Sequence, residues 1–126
     1  MKNEDVFIQI VPHRNQPFKN TGDWHEHKDG STLIRVSDMD NWLYHRLHAI
    51  HELIEDTLRR ARGISEEEVN EFCKVCDPII GSDDPKSLIY HEHRVSTICE
   101  QIVCEALGIK WHLYDADVEK FMKENQ

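Results

Sequence analysis

The sequence predicts an α+β fold in which a small antiparallel N-terminal sheet packs against two long and two short helices. Residues 6–11 (VFIQIV) are a short β-branched run, and an Asp-Gly pair separates two further extended segments. From about residue 38 onward, apolar residues recur with the three-and-four spacing of a helix. At 126 residues the chain fits one domain, with residues 1–37 as its sheet region and residues 38–126 as its helical region.

Two features define the predicted sheet. The run from Val6 to Val11 ends at Pro12, which suits a strand that does not lie in the middle of a sheet. Residues 24–27 and 33–36 flank Lys-Asp-Gly-Ser at 28–31, a strong short-range signal for a hairpin. We therefore expect the N-terminal third of the chain to form antiparallel strands.

The first long helix has the clearest pattern in the chain. Ser37 or Asp38 can cap its start, and Gly63 can adopt the left-handed conformation after its last turn. Its expected buried stripe consists of apolar residues three and four positions apart: Leu43, Leu47, Ile50, Ile54, Leu58 and Ala61.

Three further helices are expected. Ser65 begins a capping box at the start of a short helix that ends before Pro78. A third helix is predicted from Lys86 to Leu107, and a short terminal helix begins at Asp115 or Asp117. The expected buried stripe of the third helix is Leu88, Val95, Ile98, Ile102 and Ala106.

Composition narrows the classes of partner. A net charge of -9 argues against binding to duplex nucleic acid, because that affinity is built from clustered Lys and Arg. No apolar run approaches the roughly 20 residues that span a bilayer, and the N-terminus lacks the layout of a signal peptide. We expect a cytoplasmic protein that does not bind membranes. Its cysteines should then be reduced and packed as small apolar side chains: Cys73, Cys76, Cys99 and Cys104.

The first long helix carries the main candidate site. Residues three and four apart share a helix face, so His48, His51 and Glu55 can converge on one point while Glu52 lies one step around. Zinc accepts His nitrogen and Glu oxygen at similar distances and favours four ligands. This helix can therefore supply two or three ligands, and the rest of the fold must supply the others.

The third helix is the expected source of the remaining ligands. His91 falls in its apolar stripe, while His93 and Glu100 share one flank. If the two long helices pack antiparallel, any of these three could reach His51, and the sequence does not choose among them. The alternative is a polar cluster without a metal, in which His51 bonds to Glu55 as a buried imidazole requires.

The segment His51-Glu52-Leu-Ile-Glu55 resembles the active-site helix of the zincin metalloproteases, with Glu in place of the second His. The resemblance implies that His51 and Glu55 bind zinc and that Glu52 is the general base that accepts a proton from water. It also implies that the preceding strand, residues 33–36, is an edge strand that aligns a peptide substrate. The chain further resembles small uncharacterised phage and prophage proteins that share this strand-helix arrangement and a later Leu-Gly-x-x-Trp, here residues 107–111.

These observations favour a small phage-type, zincin-like metal-binding protein that hydrolyses peptide or other small amide bonds. The alternative is a phage accessory protein with an anti-defence role, which binds a nucleotide signal or a host protein without catalysis. A third hypothesis is a structural or interaction module. The expected ligand is a small molecule or a peptide, the expected location of a phage-encoded protein is the host cytoplasm, and a homo-oligomer is compatible with each hypothesis.

Overall fold

The structure is a computed structural model that describes residues 2–77 and 79–126. Its strands are β1 (Val6–Val11), β2 (Gly22–Glu26) and β3 (Thr32–Ser37). Its helices are α1 (Trp42–Ala61), α2 (Glu66–Cys73), α3 (Tyr90–Ala106) and α4 (Trp111–Glu124). The predicted α+β class, with two long and two short helices, is confirmed. Pro78, which is predicted to follow the end of α2, lies outside the described residues.

The sheet has the strand order β1-β3-β2. The predicted hairpin is confirmed: β2 and β3 are antiparallel, with Trp24 opposite Ile34, and Gly30 adopts a φ of 98° in the turn. The prediction that every strand is antiparallel is wrong, because β1 pairs with β3 in parallel, Val6 lying opposite Thr32. Strand β2 lies two positions from β1, so one position stays open between them, and the hairpin places β3 in that position, parallel to β1.

Three helices begin at residues other than those predicted. Asn41 caps α1, because its side-chain oxygen accepts hydrogen bonds from the next backbone N–H groups, whereas Ser37 ends β3 and bonds to His13. Helix α3 begins at Tyr90 instead of Lys86. Helix α4 begins at Trp111, only three residues after Gly108 breaks α3 with a φ of 76°. The predicted capping box of α2 is confirmed.

Helix α1 lies between the sheet and α3, and two small apolar cores form around it. The first core lies between α1 and the sheet: Trp24, Ile34, Val36, Ala49, Val69 and Ile89. The second lies where α1, α3 and α4 meet: Leu47, Cys104 and Tyr114. Of the stripe predicted on α1, Leu47 is fully buried, but Ala61 is exposed.

The buried face of α3 is polar. Its fully or nearly fully buried residues are Glu92, Ser96, Glu100 and Cys104. The predicted apolar stripe is wrong, since Ile98 is 51% exposed and Ile102 is 64% exposed. The rotation of α3 follows its polar contacts, because Glu100 must face inward to bond His51 on α1. In the part of the chain that the structure describes, no helix has both the length and the apolarity to cross a membrane.

Candidate metal centre

Three side-chain atoms from α1 and α3 converge on one point. Nε2 of His51 lies 3.1 Å from Oε2 of Glu55 and 3.1 Å from Nδ1 of His93. Nδ1 of His93 lies 3.0 Å from the same oxygen of Glu55. A tetrahedral zinc with bonds of 2.0–2.1 Å separates its ligand atoms by about 3.3 Å. The three side chains therefore fit one divalent cation after small adjustments.

The antiparallel packing of the two long helices builds this cluster. On α1, Glu55 follows His51 by one turn, so both side chains project from one face. On α3 the order is reversed, and His93 reaches Glu55 while Glu100 reaches His51. The spacing on the two helices thus brings together two pairs of side chains, Glu55 with His93 and His51 with Glu100.

Carboxylates hold the outer nitrogen of each imidazole. Nδ1 of His51 lies 2.8 Å from Oε1 of Glu100, and Nε2 of His93 lies 3.2 Å from Oδ1 of Asp83. An ionised carboxylate only accepts hydrogen bonds, so these outer nitrogens carry protons. The lone pairs of Nε2 of His51 and Nδ1 of His93 can then face the cluster. Carboxylates in this position are typical of metal-binding histidines, which they orient and make more basic.

The ligand carboxylate is oriented in the same way. The indole N–H of Trp24 donates a hydrogen bond of 3.1 Å to Oε1 of Glu55, which leaves Oε2 to face the imidazoles. The guanidinium of Arg59 lies 4.1 Å from the centre of the Trp24 ring and donates to the carboxylate of Asp56. Each of the three candidate ligands therefore has its second polar atom held by a different side chain.

Positive charge is favoured at this point of the fold. Burial lowers the pKa of His51, but hydrogen bonds to Glu100 and Glu55 outweigh that effect and hold the pKa well above its usual 6.5. The pKa of His93 rises to about 9, because bonds to Asp83 and Glu55 outweigh its burial. Burial would raise the pKa of Glu55, but both imidazoles lower it. Protons satisfy these carboxylates here, and a divalent cation can replace them.

Glu52 lies beside the cluster but is not one of the three converging residues. Its side chain is buried, and burial together with the nearby charge of Glu55 raises its pKa well above the usual value. Gly22 approaches it closely, since a Cβ at that position would lie 2.9 Å from Oε1 of Glu52. A carboxyl group that readily holds a proton therefore borders the candidate metal centre.

A cavity of about 220 Å³ opens next to these groups. Its acidic lining residues are Asp23, Glu52, Glu55, Asp83, Glu100 and Asp115. Apolar side chains such as Ile80, Trp111 and Val118 line other parts of it. Among the described residues that line the cavity there is no Lys and no Arg. The thiol of Cys73 also borders it, but burial raises the pKa of that thiol to about 12.

Two predicted ligands lie outside the cluster. Nε2 of His48 bonds to Thr21, and Nδ1 of His48 lies within hydrogen-bond distance of both the Tyr44 carbonyl and the Tyr114 hydroxyl. His48 is thus buried with both nitrogens occupied, and burial lowers its pKa. His91 is exposed, because α3 turns its polar face inward. The metal-ligand roles predicted for His48 and His91 therefore do not fit this geometry.

Three supporting residues were not predicted from the sequence. Asp83 lies in the loop before α3, Trp24 on β2, and Tyr114 on α4, where its hydroxyl donates a short hydrogen bond to Glu100. Each reaches the site from a different element, so no spacing pattern in the chain links them to His51. The nearest signal for Asp83 is the clustering of aspartates in that loop.

The edge-strand role implied for residues 33–36 is wrong. These residues belong to β3, which is the central strand and pairs with β1 on one side and β2 on the other. A peptide cannot add to a strand whose two edges are already paired. The strand beside the cavity is β2, from which Gly22, Asp23 and Trp24 line the wall.

Comparisons of the chain with protein-family models, with curated proteins and with solved structures returned no match.

Proposed function

We propose that the protein binds one divalent metal ion through His51, Glu55 and His93, and that it uses this ion to hydrolyse a small amide or peptide substrate. We take zinc as the metal, because two His and one Glu with a fourth position left open are a donor set of catalytic zinc sites. The same set in octahedral geometry is also typical of Fe(II) sites, so the test below includes both ions.

One observation carries the proposal. The atoms Nε2 of His51, Oε2 of Glu55 and Nδ1 of His93 lie 3.0–3.1 Å apart. Each of these side chains also has a separate partner on its other polar atom. A metal-free polar cluster would also need hydrogen bonds, but it would not need two imidazole nitrogens, Nε2 of His51 and Nδ1 of His93, to lie 3.1 Å apart. Desolvating these charges is also costly, and apolar residues of similar volume are often at least as stable.

The residues around the cluster would divide the chemistry as follows. A bound divalent cation supplies Lewis acidity, which polarises a substrate oxygen and makes water more acidic. A bound cation nearby would favour the ionised form of Glu52, which would accept a proton from the attacking water and, as a carboxyl group that holds a proton readily, pass it to the leaving nitrogen. Glu100, Asp83 and Trp24 would keep the ligands in place throughout the reaction.

The charge of the cavity favours a neutral or cationic substrate. Six carboxyl groups line it against the imidazoles of His51 and His93 or a bound metal ion, and the described lining contains no Lys or Arg. A nucleotide signal carries phosphates, which proteins commonly bind through Arg, Lys or the N-terminus of a helix. The cavity therefore gives less support to the alternative of a nucleotide-sequestering protein than to a hydrolase of uncharged amides.

Metal binding is tested by titrating untagged protein with zinc and, without oxygen, with Fe(II). We expect one zinc per chain and a loss of affinity of at least about 100-fold in His93→Ala, since one of three ligands is lost. His91→Ala is the matched control, because this exposed histidine lies two residues from His93 on the same helix. The zinc affinity of this variant should equal that of the wild type. Equal zinc affinity in all three proteins would refute the site.

Catalysis is tested separately with Glu52→Gln. We expect this variant to bind zinc as the wild type does, and to hydrolyse p-nitrophenyl acetate and a fluorescence-quenched peptide library about 10²–10⁴-fold more slowly. Hydrolysis by wild type and variant at equal rates would remove Glu52 from the mechanism. Zinc binding without hydrolysis of any probe by the wild type would leave a metal-binding protein and contradict the proposed hydrolase.

A further inference from the structure

Strand β1 exposes an apolar surface that the other described residues leave uncovered. Val6, Phe7, Ile8 and Ile10 are between 45% and 53% exposed, although the strand alternates its side chains between two faces. Helix α1 packs on β2 and β3, so the helical layer leaves β1 at its margin. Half-exposed apolar side chains on both faces of one strand are unusual on a monomer surface.

The backbone of the same strand has an open edge. Thr32 N–H donates to the Asp5 carbonyl and Asp38 N–H donates to the Val11 carbonyl, so the odd-numbered residues of β1 face β3. The N–H and C=O groups of Val6, Ile8 and Ile10 then point to the other side, where no described strand pairs with them. Proteins usually protect such an edge with charges, proline or a bulge, and residues 6–11 contain no charge and no proline.

We propose that a second copy of this chain occupies this edge, with the two β1 strands antiparallel about a two-fold axis at Ile8. Residues whose numbers sum to 16 then lie opposite each other, so Ile8 faces Ile8 of the partner subunit and Val6 faces Ile10 of the partner subunit. These are the residues with free backbone groups, and each such pair can exchange two hydrogen bonds. The result is one continuous six-stranded sheet.

The sequence of β1 matches itself in this register. On one face, Val6, Ile8 and Ile10 meet the same three residues of the partner subunit, and all of these side chains are β-branched. On the other face, Phe7 lies opposite Gln9 of the partner subunit. Each face is thus self-complementary, as an isologous interface requires, and neither face buries a charge.

Charges at the ends of the strand favour the antiparallel arrangement. Lys2, Glu4 and Asp5 precede β1 and leave that end with a net charge of -1, while Arg14 follows the strand, and all four are exposed. An antiparallel pair places this net-acidic end of one copy near Arg14 of the partner subunit. A parallel pair would place Glu4 and Asp5 beside the same two acids of the partner subunit, and like charges directly opposite each other repel. This complementarity favours a second copy over an unrelated partner.

The mass of the protein in solution tests the dimer. Light scattering coupled to size-exclusion chromatography should give twice the 14.9 kDa chain mass at high protein concentration. Ile8→Lys should weaken the dimer by more than about tenfold, because two charges then face each other at the axis. Ile102→Lys is the control, since Ile102 is equally apolar and 64% exposed but lies on α3, and this variant should stay dimeric.

Cysteine cross-linking tests the register without requiring a destabilised variant. Phe7 and Gln9 of the partner subunit would form a non-hydrogen-bonded pair with Cα atoms about 4.5 Å apart, within the range of a disulfide. An oxidised mixture of Phe7→Cys and Gln9→Cys should therefore cross-link faster than either variant alone or the wild type. A chain mass of 14.9 kDa at every concentration, or equal cross-linking of mixture and single variants, would overturn the proposal.

Discussion

The two sides of α1 pair their buried residues differently. Toward the sheet, Ala49 packs with Ile34 and Val36 in an apolar core, and the buried charges of Asp56 and Arg59 compensate each other in an ion pair. Toward α3, His51 and Glu55 meet polar partners that are also largely buried. Burying ionised side chains costs free energy that apolar packing avoids, while isoleucines on α3 remain in solvent. The comparison supports our proposal that the sheet side stabilises the fold and that the α3 side binds a metal ion.

The largest expected effect on stability lies on the sheet side. Ile34 is completely buried, so Ile34→Ala should lower the free energy of unfolding by about 2–5 kcal/mol through lost burial and a residual cavity. Ile98→Ala removes a similar side chain from the exposed face of α3 and should change that free energy by less than about 0.5 kcal/mol. Urea unfolding monitored by circular dichroism measures the free energy of unfolding of both variants. Equal decreases in the two variants would contradict the division between the two sides.

Zinc should stabilise the protein through the α3 side. At a free zinc concentration 100 times the Kd, binding to the folded state alone adds about 2.7 kcal/mol to the free energy of unfolding. Glu55→Gln keeps the shape of the side chain and an oxygen for the Trp24 hydrogen bond, but it loses the anionic ligand. Zinc should therefore add far less to the free energy of unfolding of this variant. Urea titrations with and without zinc make the comparison. A similar gain in the wild type and in Glu55→Gln would show that zinc binds elsewhere.

A smaller effect should come from the residues that hold the ligands. Trp24→Phe keeps an aromatic ring beside Arg59 but removes the N–H that fixes Oε1 of Glu55. We expect zinc affinity to fall about 10–100-fold, as is typical when a partner of a metal ligand is lost. Competition with a chromogenic chelator measures this change. Unaltered affinity would mean that the orientation of Glu55 does not depend on the indole.

The part of the site on α1 could be predicted because helical periodicity alone places His51, Glu52 and Glu55 within one turn. His93 and Glu100 were among the candidates on α3, but the choice among them depends on the rotation of that helix. The apolar pattern gave the wrong rotation, since α3 turns Ile98 outward. Periodicity assumes that apolar residues face inward, and the polar contacts of this interface override it.

The remaining differences arise from contacts between distant parts of the chain. Trp24 and Asp83 reach the centre from β2 and from a loop, and their distances in sequence carry no spacing signal. The hairpin of β2 and β3 could be predicted, because its Asp-Gly turn is local. The parallel pairing of β1 could not, since it depends on where the hairpin returns within the sheet.

Anomalous diffraction from crystals grown with zinc tests the central claim most directly. Data collected on either side of the zinc absorption edge should show one strong peak about 2.0–2.2 Å from Nε2 of His51, Oε2 of Glu55 and Nδ1 of His93. A peak bound by other residues, or protein that takes up zinc in solution without a peak at these three atoms, would contradict the proposed metal centre.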